Sequence, residues 1–372
     1  MNIVNLGSWA AEFDNNGLLW FSDFNYGGLY KYDLNKRKII LEHFFEDIEI
    51  DTEALHRRLI VRNNEILLFP LNDSYVRIYN IDEKKERKIN MPDQFLDGKI
   101  IENDKKVWAI SFDGCYKFDF EIEKFIKDDF LSNIFSLIDK EERCNIRINA
   151  TDNYIIACNN SSKSVISIDL INMNYKQFNL NFINEKIQDI FLINQRYWIL
   201  LEDSYDVYSR DIDDESYIKY EAETRDLENH NIFAPYSRII QWENHLILPN
   251  YYGKSIMKIN LNNKTIEPLY KNELDNQESQ WIDYGAYYYR TIVYEDYLFF
   301  IPQRSKYILK FDKNLNLVDK YLMQNEVNAK FIEDVMVSRK RKSVIMHEDD
   351  KIFSVDNYLK CIRRLEESKN VS

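Results

Sequence analysis

Four arginines occupy equivalent places in the chain, each near the start of an apolar segment. Arg58 lies in HRRLIVRNNEIL, Arg147 in NIRINATDNYII, Arg238 in YSRIIQWENHLI and Arg290 in YYRTIVYEDYLF. Each arginine stands nine residues before the same position of the following apolar segment. A guanidinium group holds carboxylates and phosphates through two parallel hydrogen bonds. The repeated arginine therefore predicts either an anion site or an internal ion pair that the repeats share.

Two further repeats carry an acidic residue at the equivalent position. These residues are Asp189 in IQDIFLINQRYW and Asp334 in IEDVMVSRKRK, where the turn is one residue longer. Ala10 and Gly98 stand there in the two remaining repeats. The position is therefore charged in most of the chain, with both signs present.

Aromatic residues and one histidine accompany these charges. Tyr236 precedes Arg238, while Tyr288 and Trp281 belong to the aromatic segment QWIDYGAYYYR that leads to Arg290. Such rings either stack on a sugar or a peptide side chain or pack the loop. His56 lies two residues before Arg58 and is the weak candidate for a catalytic acid or base.

The arginine-bearing segments belong to a repeat that runs through the whole chain. A strand-like segment closed by Asp or Asn returns eight times, with the closing residues 39 to 52 positions apart. A turn-linked pair of apolar segments precedes it, and a fourth strand-like segment follows. Four antiparallel strands in about 40–50 residues are typical of a propeller blade. The closing residues, whose short side chains favour turns, are Asp33, Asn80, Asp119, Asp169, Asp211, Asn260, Asp312 and Asp356.

The repeat predicts an all-β protein in which residues 1–372 form a single β-propeller of four-stranded antiparallel blades. Eight repeats predict eight blades, or seven if a terminal repeat is not a blade of its own. The segment FLSNIFSLIDKEER at 130–143 has helical spacing and is interpreted as a helical insertion in a loop.

These features resemble loosely patterned bacterial propellers of the NHL-like and YncE-like kind. The segment LYKYDLNKRKIILEHF is similar to the closing strands of a kelch blade, although paired glycines occur only at Gly27–Gly28. No Trp-Asp pair closes the repeats as in WD40 proteins. The resemblance concerns architecture alone and implies a propeller without implying an activity.

A propeller would bring the arginines together. The first strand of each blade is innermost, so equivalent positions at its start form a ring around one opening of the channel. The connections that lead into the arginine-bearing strands are also long, at 46–57, 127–146, 221–237 and 271–289. Long loops on a rigid scaffold concentrate binding residues.

Two interpretations of the arginines stay open. In the first, each arginine is a structural fastener, because repeats reuse internal ion pairs and an unpaired buried charge is costly. Alternatively, several arginines hold a ligand carboxylate or phosphate. The acidic partners available to the first interpretation are Asp189, Asp334, Glu49, Asp51, Glu53, Glu223, Asp226, Glu228, Glu273, Asp275 and Glu278.

Composition limits the classes of function. The net charge of −13 and pI of about 5.1 argue against nucleic-acid binding, which needs a basic surface. Neither a signal peptide nor an apolar run of membrane-spanning length is present, and the four cysteines have no CxxC spacing. We therefore expect a cytoplasmic protein that acts without a membrane.

Motifs for metals, cofactors and nucleophiles are also missing from the sequence. The histidines have no HxH or HExxH spacing, and no GxGxxG, P-loop or GxSxG segment occurs. We expect neither metal nor cofactor. The favoured function is a non-catalytic module that binds a peptide, a protein or a small anionic ligand. The alternatives are a lyase, isomerase or hydrolase acting on an anionic sugar or modified peptide, and a structural assembly platform.

Overall fold

The computed structural model is built almost entirely of β-strands. It describes residues 2–23, 28–45, 47, 55–71, 74–93, 95–103, 106–138, 146–151, 153–159, 163–202, 204–214, 216–223, 235–251, 255–271, 288–303 and 305–327. Two compact units divide the chain. The first contains Met1–Lys88, Arg290–Asp312 and the residues from Asn316 onward, and the second contains Ile89–Tyr289 with Lys313–Leu315.

The first compact unit contains three four-stranded antiparallel sheets and one two-stranded sheet. In each four-stranded sheet the strands follow chain order. One sheet is β2 (Ala10–Phe13), β3 (Leu18–Ser22), β4 (Gly28–Asp33) and β5 (Lys38–Phe44). The next is β6 (His56–Arg62), β7 (Glu65–Pro70), β8 (Tyr75–Asn80) and β9 (Lys85–Asn90). The third is β26 (Tyr288–Tyr294), β27 (Tyr297–Pro302), β28 (Tyr307–Phe311) and β29 (Leu317–Leu322). Near the chain start, β1 (Asn2–Asn5) pairs antiparallel with β30 (Gln324–Val327).

The second compact unit contains two four-stranded sheets and one eight-stranded sheet. The four-stranded sheets are β10–β13 (Phe95–Asn103, Lys106–Ser111, Gly114–Asp119, Lys124–Lys127) and β14–β17 (Ile146–Ala150, Tyr154–Asn159, Ser164–Asp169, Asn174–Asn179). The eight-stranded sheet joins two four-strand meanders through a short parallel pairing of β21 with β25. Its strands are β18–β21 (Ile187–Ile193, Arg196–Leu201, Val207–Asp211, Tyr217–Ala222) and β22–β25 (Ile240–Trp242, His245–Leu248, Ser255–Asn260, Thr265–Lys271).

Burial follows strand order within each sheet. Second strands are almost wholly buried, as in β7 and β19, whereas fourth strands such as β13 and β17 face solvent along most of their length. Apolar side chains of neighbouring sheets meet in shared cores. One core joins β2–β5 to β26–β29, and a second joins β2–β5 to β6–β9. This propeller-like arrangement of four-stranded blades agrees with the architecture predicted from the repeat.

The Asp or Asn that closes the third strand acts through its side chain. Asn80 Oδ1 accepts hydrogen bonds from the backbone N–H groups of Asp82 and Glu83, and Asp169 Oδ1 accepts from Ile171 and Asn172. Asp119 and Asn260 accept from the same two positions, and Asp33 accepts from Lys36 N. Asp312 differs, because its Oδ1 accepts from Asn316 N, four residues further along the chain. Asp211 differs, because its carboxylate contacts Arg196.

A single short helix occurs within the described residues. It is α1 (Asp129–Phe135), and the Asp128 side chain caps its start by accepting from Leu131 N. Leu131, Ile134 and Phe135 are buried against the β10–β13 and β14–β17 sheets. Residues 139–143 of the predicted insertion and the eighth closing residue, Asp356, lie outside the described residues. Within those residues no helix is both long and apolar enough to cross a membrane.

Candidate functional site

The strand registers place Arg58 and Asp189 at equivalent positions. Arg58 pairs with Phe69 directly after a bulge, and Asp189 pairs with Leu200 directly after a bulge. Each stands four residues before the last paired residue of its strand, which is Arg62 or Ile193. Arg238 has the same separation from Trp242. The register thus supports the alignment made from sequence spacing, at the end of the sheet where the first strand begins.

In the first compact unit, two arginines reach the same short stretch of β2. Arg58 is buried, and its Nη2 lies 3.4 Å from Glu12 Oε2. Arg290 is half-buried, and its Nε donates to the Ala11 carbonyl oxygen at 3.3 Å. Two guanidinium groups from the neighbouring sheets therefore converge on Ala11–Glu12. Glu12 is a partner that the sequence comparison missed, because it lies on another strand with no repeat signature.

His56 is enclosed at the beginning of β6. Its Nδ1 lies 2.7 Å from Ser22 Oγ, and its ring packs edge-on against Phe45. Burial lowers the pKa of His56 well below its usual value, and the positive charge of Arg77 lowers it further. The imidazole is therefore neutral at neutral pH, with 2% of its surface exposed.

In the second compact unit, Asp189 links two sheets. Its Oδ1 accepts from Asn149 Nδ2 at 2.5 Å, and the same amide group donates to the Ile190 carbonyl oxygen at 2.8 Å. Burial, together with the nearby charge of Asp189, raises the pKa of the Cys158 thiol to about 12. Arg147, on the strand that carries Asn149, is exposed to solvent. Asp189 holds the sheets together, while Arg147 presents a positive charge at the surface.

The two described tyrosines of the predicted site belong to the core. Tyr236 is 1% exposed and donates its hydroxyl to the Tyr205 carbonyl oxygen at 3.0 Å. Tyr288 is equally buried, and its carbonyl oxygen accepts from Ser237 Oγ at 3.0 Å. Both rings fill space beneath the sheet ends in this structure. Arg238, which follows Ser237, is half-buried.

Other members of the predicted site lie mostly outside the described part of the chain. Trp281 and Asp334 lie outside the described residues, as do the acidic loop residues proposed as partners, with the exception of Glu223. Glu223 is exposed at the end of the described stretch 216–223.

Buried polar side chains concentrate at the sheet ends that carry the arginines. In the first compact unit this polar layer comprises Ser8, Ser22, Asp23, His56, Arg58 and Gln303. In the second it comprises Ser111, Asn159, Gln188, Asp206, Ser237, Asn250 and Ser255. All but four of the buried polar side chains in the described residues belong to it, the exceptions being Asp14, Arg77, Ser167 and Ser209. Among the described residues, the buried polar side chains therefore lie mainly at one end of the sheets.

Arg77 forms a separate charged cluster that the sequence analysis did not identify. This side chain is 1% exposed, and its Nη1 contacts Asp47 Oδ1 at 2.8 Å and Glu86 Oε1 at 2.5 Å. Its guanidinium carbon lies 5.2 Å from the centre of the Phe45 ring. His43 Nε2 contacts the other oxygen of Glu86 at 2.9 Å. The alternation in VRIYN places Arg77 between buried Val76 and Ile78, but nothing local identifies its two acidic partners.

Comparison with known structures supports the propeller fold. No family model matches the chain, and no curated protein matches it. Virginiamycin B lyase from Staphylococcus aureus is similar over 82% of this chain and 96% of its own, with 12% identity and a TM-score of 0.55. Hsv2 from Kluyvelomyces marxianus is similar over 86% of this chain and 99% of its own, with 12% identity and a TM-score of 0.51.

A third similar structure belongs to a hybrid two-component system. It is the extracellular domain of the two-component system BT4673 from B. thetaiotaomicron, with 12% identity and a TM-score of 0.54. The match covers 82% of this chain and 38% of that one. At such low identity these similarities concern the fold alone.

Proposed function

We propose that this protein is a non-catalytic propeller that binds an anionic ligand at the sheet ends where the first strands begin. The observation that carries the proposal is the one-sided polar layer beneath the repeated arginines. Burying a polar side chain is unfavourable unless it gains hydrogen bonds. Here most of the buried polar side chains lie at one end of the sheets. We therefore expect that end to have a function beyond packing.

The chemistry of the exposed groups favours an anion. Arg147 is exposed and Arg290 is half-buried, so each can meet a ligand without unfolding its sheet. A guanidinium group matches the planar geometry of carboxylates and the oxygens of phosphates. In a chain with a net charge of −13, such positions also distinguish one surface from an otherwise acidic background. We propose a small anion or an acidic peptide or protein, met in the cytoplasm.

Catalysis is the weaker alternative. The similar structures include a lyase, but they share only the fold with this chain. His56, the candidate for proton transfer, is buried and neutral with its Nδ1 committed to Ser22. General acid–base catalysis needs hydrogen-bond reach to the substrate, directly or through one water. The enclosed imidazole therefore supports binding over catalysis.

We also propose seven blades in place of eight. The described residues contain seven four-strand meanders, two of them joined in the eight-stranded sheet. The meanders β2–β5 and β26–β29 share a hydrophobic core, with Phe13 packed on Phe299 at 4.8 Å between ring centres. A further blade between these two sheets would have to replace that core.

A thermal-shift screen tests the proposed function. Ligands that bind only the folded state raise its melting temperature, and the stabilisation grows with the logarithm of ligand concentration relative to Kd. We expect at least one carboxylate or phosphate compound, or an acidic peptide, to raise the Tm of the wild-type protein by several degrees. Arg290→Glu reports on the first compact unit and Arg147→Glu on the second, and at least one of them should abolish the shift.

Lys176→Glu provides the matched control. Lys176 lies on the fourth strand β17, is 59% exposed and pairs with the exposed Asp213. This charge reversal changes the net charge as the arginine variants do but leaves the proposed surface intact, so the ligand shift should persist. A shift that all three variants retain, or the failure of every anion, would contradict the proposal.

A further inference from the structure

His56 is held at the beginning of β6 by contacts from the neighbouring sheet β2–β5. Its Nδ1 lies 2.7 Å from Ser22 Oγ at the end of β3, and its ring meets the Phe45 ring edge-on at 5.2 Å between centres. His56 is 2% exposed, and its Nε2 is buried without a hydrogen bond to the described residues. These three residues, His56, Ser22 and Phe45, form what we call the histidine clasp.

The backbone at the clasp is separable from the rest of β6. A bulge lies between His56 and the regular register of residues 58–62 with β7. The residue opposite His56 on β7 is Pro70, which has no N–H to donate to the pairing. Leu71 N donates to the Leu55 carbonyl oxygen at 2.8 Å and closes this end of the sheet. The beginning of β6 can therefore detach while the pairing beyond the bulge stays intact.

Positive charge already lies beside the clasp. The guanidinium carbon of Arg77 is 5.2 Å from the centre of the Phe45 ring, the same ring that His56 contacts. A protonated imidazole would therefore add a second cation to this buried region. Further titratable and charged groups on the surrounding elements include His43, Asp47, Glu86 and Lys88 around Arg77, Asp23 next to Ser22, and Arg57, Arg58 and Glu12.

Acid opposes the closed clasp. Burial lowers the pKa of His56 well below its usual value, and the charge of Arg77 lowers it further. A histidine whose pKa is lower in the closed state than in the open state binds more protons when open. The stability of the closed state is thus fully present above the open-state pKa of about 6.5 and is lost as the pH falls below it.

We propose that the histidine clasp is an acid-sensitive switch: protonation of His56 releases the beginning of β6 from Ser22 and Phe45, while the pairing beyond the bulge remains. The strand that carries Arg58 is then anchored at its beginning at neutral pH and loses this anchor in mild acid. Asp47 and Glu86, whose pKa values are lowered, keep their charge in that range. The switch needs no ligand and is independent of the proposed function.

Hydrogen–deuterium exchange at pH 7.5 and pH 5.5 tests the switch. After correction for the intrinsic exchange rates, we expect the Leu71 amide to lose protection about tenfold. An open-state pKa of about 6.5 increases the open population by about this factor across the range. The amides of the β14–β15 pair, in the second compact unit, should keep their protection. Unchanged protection at Leu71, or an equal loss in both units, would overturn the proposal.

His56→Asn should remove the pH dependence. Asn keeps a side-chain group that can hydrogen-bond to Ser22 but carries no charge. The Leu71 amide should then be equally protected at both pH values. His43→Gln is the matched control, because it removes another histidine of the same compact unit and should retain the tenfold loss. The opposite result for either variant would assign the pH dependence to another group and overturn the role of His56.

An NMR titration of the wild-type protein gives an answer even if His56→Asn does not fold. The chain has five histidines, so their imidazole C–H signals are few enough to follow separately. The His56 signal, identified through its contact with the Phe45 ring, should titrate well below the value of about 6.5 for an exposed histidine. A midpoint at or above that value would overturn the switch, because protonation would then not favour the open state.

Discussion

At the scale of single residues, this chain encloses charges in two ways. Arg58 lies 3.4 Å from the partly exposed carboxylate of Glu12, whereas Arg77 contacts Asp47 and Glu86 at 2.8 and 2.5 Å. The second arrangement is denser, and Lys88 also contacts Asp47. We interpret the Arg77 cluster as structural, because tight and multiply satisfied charges resist replacement.

The protonation of the Arg77 cluster follows from its geometry. Burial alone would raise the pKa of Asp47, but hydrogen bonds from Arg77 and Lys88 outweigh it and hold that pKa well below its usual value. Glu86 behaves likewise, with burial opposed by His43 and Arg77 and a net lowered pKa. Carboxylates whose pKa is lower in the folded state stabilise the protein above their unfolded pKa of about 4, and this stabilisation is lost as the pH falls.

Arg77→Met is therefore expected to destabilise the folded protein strongly at neutral pH and less strongly in acid. At pH 7 it should lower the free energy of unfolding by about 3–5 kcal/mol, because two acidic groups lose a buried partner. Towards pH 3 the gap from wild type should narrow, since protonated carboxyl groups no longer need the guanidinium group. Urea unfolding at both pH values measures this difference.

Arg87→Met serves as the control for this prediction. Its pair with Glu65 is exposed, so we expect a loss of no more than about 1 kcal/mol at pH 7. An Arg77→Met variant as stable as Arg87→Met would show that the cluster contributes nothing beyond a surface ion pair.

At the scale of elements, the turns show what the sequence could and could not reveal. The closing Asp or Asn was recognisable, because short polar side chains next to a strand end bond to their own backbone. The residues with left-handed backbone were not. With only 8 glycines in the chain, Asn is the residue expected in that conformation, and Asn63 and Asn194 do have positive φ. However, Lys84, Glu123, Met173, Lys264 and Leu315 have positive φ as well. Lys, Glu, Met and Leu are not typical turn residues, so the sequence does not identify these positions.

The candidate site, too, could be predicted from the sequence only in part. The repeat period and strand alternation predicted which residues share a position, and the registers agree for Arg58 and Asp189. Partners were not predictable. Glu12 and Asn149 meet their partners across different sheets, where neither period nor spacing constrains the pairing. Burial of Tyr236 also depends on packing that the aromatic pattern does not specify.

The left-handed turn residues lead to a prediction about turn stability. Lys264 has φ of 57° and an exposed side chain, so Lys264→Gly removes steric strain at little cost in contacts. We expect it to stabilise the protein by about 1 kcal/mol, the scale of the left-handed penalty for residues with a Cβ. Thermal and urea unfolding should both show the gain.

Asn263→Gly is the control in the same turn. Asn263 is exposed and does not have a positive φ, and its contact with Asn260 uses the backbone N–H that glycine retains. The substitution therefore adds only unfolded-state entropy and should destabilise by a few tenths of a kcal/mol. Stabilisation by Asn263→Gly to the same degree would rule out the strain explanation.

At the scale of the whole molecule, the meeting of early and late chain segments determines how the first compact unit is assembled. Leu6 N donates to the Met323 carbonyl oxygen at 2.9 Å, and Ser8 N donates to Pro302 at 2.9 Å. Arg37 adds two hydrogen bonds to the Asp319 carboxylate at 3.0 and 2.9 Å. Residues about 300 positions apart in sequence thus form a continuous seam between β2–β5 and β26–β29.

The substitution Gly7→Ala tests this seam, because it adds a single carbon atom at the contact. A Cβ at Gly7 would lie 1.8 Å from the Gln303 carbonyl oxygen, and the obstacle is backbone that cannot rotate away. We expect Gly7→Ala to lower the free energy of unfolding by about 3 kcal/mol or more, at the upper end of the roughly 1–3 kcal/mol typical of overpacking, because the seam must separate.

Gly17→Asn is the control. Gly17 has φ of 78°, which Asn tolerates, and the nearest atom to the added Cβ is the Tyr294 hydroxyl at 3.4 Å. Wild-type stability of Gly7→Ala would mean that the first and last described sheets do not meet, and the space between them would again accommodate an eighth blade.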